Sequence, residues 1–297
     1  MMNKAGFLAA IILSCFMVEA SLALEWKSLH ERSEKITLDE AISASQANPG
    51  SLQDSYVLAL IYLNLHKDQD AEREFNKMLR IDPTSEEARW GLAEILRKRH
   101  KLHEAEKILS DIVLARPDFS PAYISLAYVK FLLLDFQEAV QLSKKVIRQG
   151  EYGDTDLTNY VRAYAVFAGA KGIIAHSQGP LSKFANGTAV LPALKKAREL
   201  QPISAPVFFG LGSFYLLAPT LAGGDPEEAE IYLNKTVELD PLFPDVYVRL
   251  AQLYKLEKDT SKHDIFLSKA LELDPQNELA IDEKSGKCIY VCPDYKK

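Results

Sequence analysis

The side chains able to do chemistry are few and far apart. His100 and His103 stand three residues apart in a turn, with Glu104 and Glu106 as the nearby candidate ligands. A metal ion there would need further ligands that the neighbouring residues do not supply, so the pair reads as surface histidines and no metal is expected. His176 has no nucleophile motif around it, and no His-Glu-x-x-His, nucleophile-elbow Ser or Walker motif occurs in the 297 residues. Gly223-Gly224-Asp225 could form a tight turn, but it lacks the Lys of a phosphate-binding loop and the glycine spacing of a dinucleotide site. Cys288 and Cys292 remain. Too few other ligands lie nearby for a metal, and the Cys-x-x-Cys-His of haem attachment is missing. A disulfide is the favoured reading, with free thiols as the alternative. A helical i, i+4 pair would hold the sulfurs too far apart, so a bridge requires a turn. Catalysis needs a constellation that these residues do not make. The chain reads as a binder rather than an enzyme, and no cofactor is expected.

Composition narrows what it binds. The chain is 47% hydrophobic and 26% charged, enough apolar material for a substantial core, and its formal net charge is −6. Arg97-Lys98-Arg99-His100-Lys101 is the one basic run and reads as a solvated turn, so no nucleic-acid partner is expected. At the N-terminus, Lys4 precedes an apolar stretch from Ala5 to Val18, followed by small-residue cleavage sites ending at Ala20 and Ala23. Residues 1–23 thus read as a secretory signal peptide, too short in its apolar part to span a bilayer. The mature chain is expected in the periplasm or an equivalent exported space. Ile12-Leu13-Ser14-Cys15 loosely resembles a bacterial lipoprotein signal, which makes a lipid anchor at Cys15 the alternative. Leu13 is bulky for that motif, and Phe16-Met17-Val18 is apolar where a polar tether is usual.

The elements that position these residues announce themselves through proline. Pro49, Pro83 and Pro117 recur at intervals of 34 residues, as do Pro241 and Pro275. A helix ends before each, because Pro lacks an N–H and disfavours helical geometry in the residue ahead of it. Between prolines the slots repeat: Leu58, Ala59, Tyr62, then Ala71, Phe75, Met78; Leu92, Ala93, Leu96, then Ala105, Leu109, Ile112. Tyr123, Leu126 and Ala127 begin a third unit, Phe208, Leu211 and Gly212 another, and Tyr247, Leu250 and Ala251 the last. The small residues let two helices approach, and the large ones fill the space between successive hairpins, so each hairpin needs its neighbours. Thr37-Leu38-Asp39-Glu40 reads as a capping box that opens a half-unit, and Asn277 to Lys284 as a short closing helix.

These slots resemble the tetratricopeptide repeat. The resemblance implies an all-α fold, a right-handed superhelical solenoid of stacked helix-turn-helix hairpins. About six units are expected within residues 24–280, with 281–297 as a C-terminal tail. Longer connections are expected near 177–188 and 218–225, each between the two helices of its unit. Lys183, Phe184, Gly223, Gly224 and Asp225 are the candidate binding residues there, since insertions in repeats often mark a binding face. Leu221-Ala222-Gly223-Gly224-Asp225-Pro226-Glu227-Glu228-Ala229, with the Leu239-Asp240-Pro241 that follows, is similar to the T-component of tripartite periplasmic substrate transporters. That likeness, over about residues 205–275, implies an accessory protein that binds a solute or its carrier.

The leading expectation is an exported scaffold that holds a protein or peptide partner in a concave groove lined by first helices. The groove candidates are Tyr56, Trp90, Glu94, Arg97, Tyr128, Phe209, Ser213, Arg249 and Gln252. Among them Trp90 and Arg97 are expected to stand clear of the packing slots.

Overall fold

The computed structural model describes residues 25–177 and 179–294. The expected signal peptide and Cys15 lie outside the described residues. Helix α1 (Trp26–Ser33) and helix α2 (Leu38–Ala47) precede the first full hairpin, α3 (Leu52–Asn64) and α4 (Asp68–Ile81). Then come α5 (Glu86–Lys98) with α6 (Leu102–Ala115), and α7 (Ser120–Leu132) with α8 (Phe136–Glu151). The fourth unit is α9 (Leu157–Ser177), a short α10 (Pro180–Gly187) and α11 (Val190–Leu200). The fifth pairs α12 (Ala205–Leu217) with α13 (Pro226–Leu239), and the sixth pairs α14 (Pro244–Leu256) with α15 (Thr260–Leu273); α16 (Glu278–Ser285) closes the stack. The molecule is an all-α solenoid of right-handed superhelical hand.

Local chemistry explains where these helices start and stop. The Thr37 N–H donates to Glu40 Oε2 at 2.7 Å, and the Glu40 N–H returns to Thr37 Oγ1 at 3.3 Å, closing the capping box on α2. Ser51, Ser85, Asp135, Asp225, Asp259 and Asn277 cap later helices through side-chain oxygens. The turn between the helices of a hairpin has one geometry in four units. His66, His100, Leu134 and Lys258 take φ between 55° and 68°. The next residue's N–H then reaches back five positions, Lys67 to Tyr62 O and Lys101 to Leu96 O, both at 2.9 Å. This is the Schellman stop, which satisfies otherwise orphaned carbonyls at the cost of a left-handed residue.

Packing follows the slots. Ala59, Ala93, Ala127 and Ala251 on first helices, and Ala71, Ala105, Ala139, Ala229 and Ala270 on second helices, are wholly buried. Gly212 fills the same slot in the fifth unit, where a Cβ would lie 2.8 Å from Leu233 Cγ.

The two insertions differ in kind. Near 177–188 the structure corrects the expected loop: α9 runs for 21 residues, against 13 in α12, and α10 forms where a turn was expected. Pro180 at the first position of α10 accounts for this, since its fixed φ suits a helix start. The second insertion is a turn of 3-10 helix, Thr220–Ala222, ended by Gly223 at φ 95°.

The superhelix closes on itself. His66 Nε2 lies 3.2 Å from Asp240 Oδ1, and His100 Nε2 lies 3.0 Å from Asp274 Oδ1. Both pairs span the same 174 residues, so one full turn brings the hairpin turns of units one and two onto the ends of units five and six.

Candidate functional site

The inner face of the superhelix is filled by the first and last of the described segments. Helix α1 occupies the first half. Its Trp26, Leu29, His30 and Ser33 are spaced to form one stripe, and all four are buried. The Trp26 ring meets Phe119 edge-on at 5.5 Å between centroids. The His30 ring lies 5.6 Å from Tyr56 and 5.7 Å from Trp90, with Nε2 2.8 Å from the Tyr56 hydroxyl. On its other side Nδ1 lies 3.7 Å from Asp156 Oδ2 and 3.4 Å from Asn159 Nδ2. Lys27 Nζ donates to Gly153 O at 2.6 Å and Arg32 pairs with Asp54 at 2.9 Å, so α1 is fixed at both flanks.

Burial lowers His30 to about 4, against the pull of Asp156 in the other direction, so the ring is neutral at pH 7. Burial also raises the Tyr56 hydroxyl well above its ordinary value. Asp156, His30 and Tyr56 thus lie in line, with His30 hydrogen-bonded to Tyr56 and Asp156 held by Asn159 at 2.6 Å. With Tyr56 0% and Asp156 1% exposed, the cluster is packed inside the molecule. It holds α1 in place.

Trp90 is corrected by this geometry. It is 3% exposed, its Nε1 donates to Ser125 Oγ at 2.9 Å, and its ring touches Tyr56, Phe75 and Phe119. Arg97 is likewise not clear of packing. It pairs with Glu94 at 3.1 Å, and its guanidinium carbon sits 5.0 Å over the ring of Tyr128. Burial pushes the Glu94 carboxyl up, but the charges of Arg97 and Arg162 and hydrogen bonds from Arg97 and Ser125 outweigh it and leave it at about 2.

The C-terminal tail fills the other half. Cys288 and Cys292 are joined in a disulfide. The turn it closes holds Cys288 and Val291 at positive φ, which is how a four-residue separation escapes helical spacing. Arg249 donates to Val291 O at 2.9 Å and Tyr290 O at 3.1 Å, and to Gln252 Oε1 at 2.6 Å. Gln252 in turn donates to Glu283. The Tyr290 ring stacks on Phe131, and its hydroxyl donates to Leu132 O at 3.0 Å, so the tail reaches across to the third unit. Of the remaining groove candidates, Phe209 packs on Phe243 at 4.9 Å, and Ser213 Oγ has no hydrogen-bond partner among the described residues.

The insertion candidates divide. Gly223, Gly224 and Asp225 are employed structurally. A Cβ on Gly224 would stand 1.8 Å from Ala218 O, and Asp225 accepts the N–H groups of Glu227 and Glu228. Lys183 and Phe184 stand exposed on α10. Among the described residues no three His, Cys, Asp or Glu side chains converge to hold a metal ion, and no helix is long and apolar enough to cross a membrane.

Sequence reasoning missed α1 and the His30–Asp156–Asn159 cluster. The stripe Trp26, Leu29, His30, Ser33 was the available signal for the helix. Nothing local marks Asp156 as its partner, 126 residues away.

Residues 67–127 match a model of the tetratricopeptide repeat, and residues 244–277 match a second one. The chain carries tetratricopeptide repeats. Among solved structures, one chain of the APC/C hetero-tetramer Cut9-Hcn1 is similar at 18% identity and a TM-score of 0.54. The alignment covers 86% of this chain and 46% of that one, so this chain spans less than half of its relative. A tetratricopeptide repeat protein from Parabacteroides merdae is similar at 12% identity and a TM-score of 0.51, over 88% of this chain and 97% of that one. At these identities the likeness concerns the fold alone. No curated protein sequence matches the chain.

Proposed function

We propose that this protein is an exported scaffold that receives an amphipathic segment of a protein partner in the first half of its concave channel, where α1 now lies. Tetratricopeptide repeats make an interaction scaffold, and the observation that carries the finer reading is α1 itself. It crosses the first helices of three successive units and the start of the fourth, anchoring one aromatic and one imidazole among Tyr56, Trp90 and Phe119. A partner helix offering an aromatic and a hydrogen-bonding group four residues apart would meet the same surface. Export rests on the composition of residues 1–23.

The test loosens α1 without touching the walls of the channel. Trp26→Ala removes its largest anchor. A pull-down from the exported fraction should then retain more of a channel-binding partner with Trp26→Ala than with the unaltered chain. Equal capture by both, with hydrogen exchange showing α1 released in the variant, would sink the reading.

A further inference from the structure

Helix α10 is built inside out. Its polar residues Ser182 and Asn186, one turn apart, face the protein: Ser182 Oγ donates to Ile174 O on α9, and Asn186 Oδ1 accepts from Lys171 Nζ at 2.6 Å. Its large apolar residues face outward, Leu181 90% and Phe184 75% exposed. Water drives an amphipathic helix to the opposite arrangement, so an apolar face turned out marks a surface meant to be covered.

The charge around α10 says by what. From Leu157 to Leu200, the whole fourth unit, the chain carries Arg162, Lys171, Lys183, Lys195, Lys196 and Arg198 against a single acid, Glu199, which pairs with Lys196 at 3.2 Å, although the formal net charge of the chain is −6. Arg162 is turned to Glu94 and Arg198 to Tyr232. Lys144 and Lys171 sit over the same ring, 5.8 and 5.9 Å from the centroid of Phe167. Burial and the neighbouring Lys144 charge both lower Lys171, which fits a local excess of positive charge. Exposed Leu and Phe beside lysines, on a helix lying flat against its own domain, are the chemistry of an interfacial contact: apolar groups enter the acyl boundary while ammonium groups meet anionic headgroups.

We propose that α10 and the basic fourth unit form a docking surface for an anionic phospholipid bilayer, holding the solenoid against a membrane without spanning it. This stands independently of what the channel binds.

Vesicle co-sedimentation tests it. The chain from Leu24 onward keeps every described residue and drops the apolar N-terminal stretch, which would itself enter a bilayer. It should sediment with phosphatidylglycerol-containing vesicles and not with pure phosphatidylcholine, and added salt should release it. The double variant Leu181→Glu, Phe184→Glu should lose about tenfold or more of that binding at unchanged Tm, since the two exposed apolar side chains that enter the bilayer are exchanged for charge. If its Tm falls, Leu181→Ser with Phe184→Ser replaces it. Equal sedimentation of the variant, equal binding to both lipids, or no vesicle binding while an acidic protein is retained through the same residues would each overturn the proposal.

Discussion

Gly212 shows how much a single small side chain carries. With a Cβ position 2.8 Å from Leu233 Cγ and 3.2 Å from the Leu233 backbone nitrogen, nothing larger fits unless α12 and α13 separate. Gly212→Leu should lower stability by about 1–3 kcal/mol, read as a lower urea midpoint. An unchanged midpoint would mean the two helices can part freely there. Trp90 makes the converse case. Its ring contacts Tyr56, Phe75, Phe119 and His30 and its Nε1 is hydrogen-bonded, so Trp90→Ala should cost about 3–5 kcal/mol, as large aromatic truncations in a core do. A variant with unaltered Tm would return Trp90 to the open groove that its sequence position suggests.

Helix α1 is the element whose attachment responds to acid. His30 is held at about 4 when docked, whereas a released His30 titrates near its ordinary 6.5. The released state therefore binds the proton first. The docked state keeps its full advantage above pH 6.5 and loses it progressively as pH falls toward 4. The total is about 3 kcal/mol at 1.36 kcal/mol per unit. Amide hydrogen exchange in α1 should quicken between pH 6.5 and 4 after correction for the intrinsic rate, and His30→Gln should remove most of that pH dependence. If His30→Gln keeps the full acid response, another group governs the docking of α1.

Closure of the superhelix responds to pH in the other direction. Burial lowers His100, but hydrogen bonds and charges from Glu278 and Asp274 outweigh it and hold the imidazole above its ordinary value. The raised value means the closed molecule favours the protonated ring. That contribution is complete below pH 6.5 and fades as pH rises through the folded value. Small-angle scattering should report a larger radius of gyration at pH 8 than at pH 6. His100→Gln should show the larger radius at both. No change in radius with pH would leave closure to the apolar contacts of the tail. The channel's two stoppers are held by aromatic and polar contacts together, and the clasp by ion pairs, all between residues far apart in sequence.

The hairpins themselves were legible in the chain alone. Proline at intervals of 34 residues, Ala at the small slots and Thr37 with Glu40 at a helix start act within one or two turns, where local sterics and nearby hydrogen bonds decide the outcome. The turn between Cys288 and Cys292 could be read for the same reason. Tertiary structure alone decided that the groove is filled. The small rotation between successive hairpins accumulates until residues 174 apart meet, and a repeat pattern records each hairpin but not their sum. Trp90 looked free because its own helix leaves it outside the packing slots. It is buried because Tyr56, Phe75 and Phe119 of the repeat units, together with His30 of α1, close around its ring.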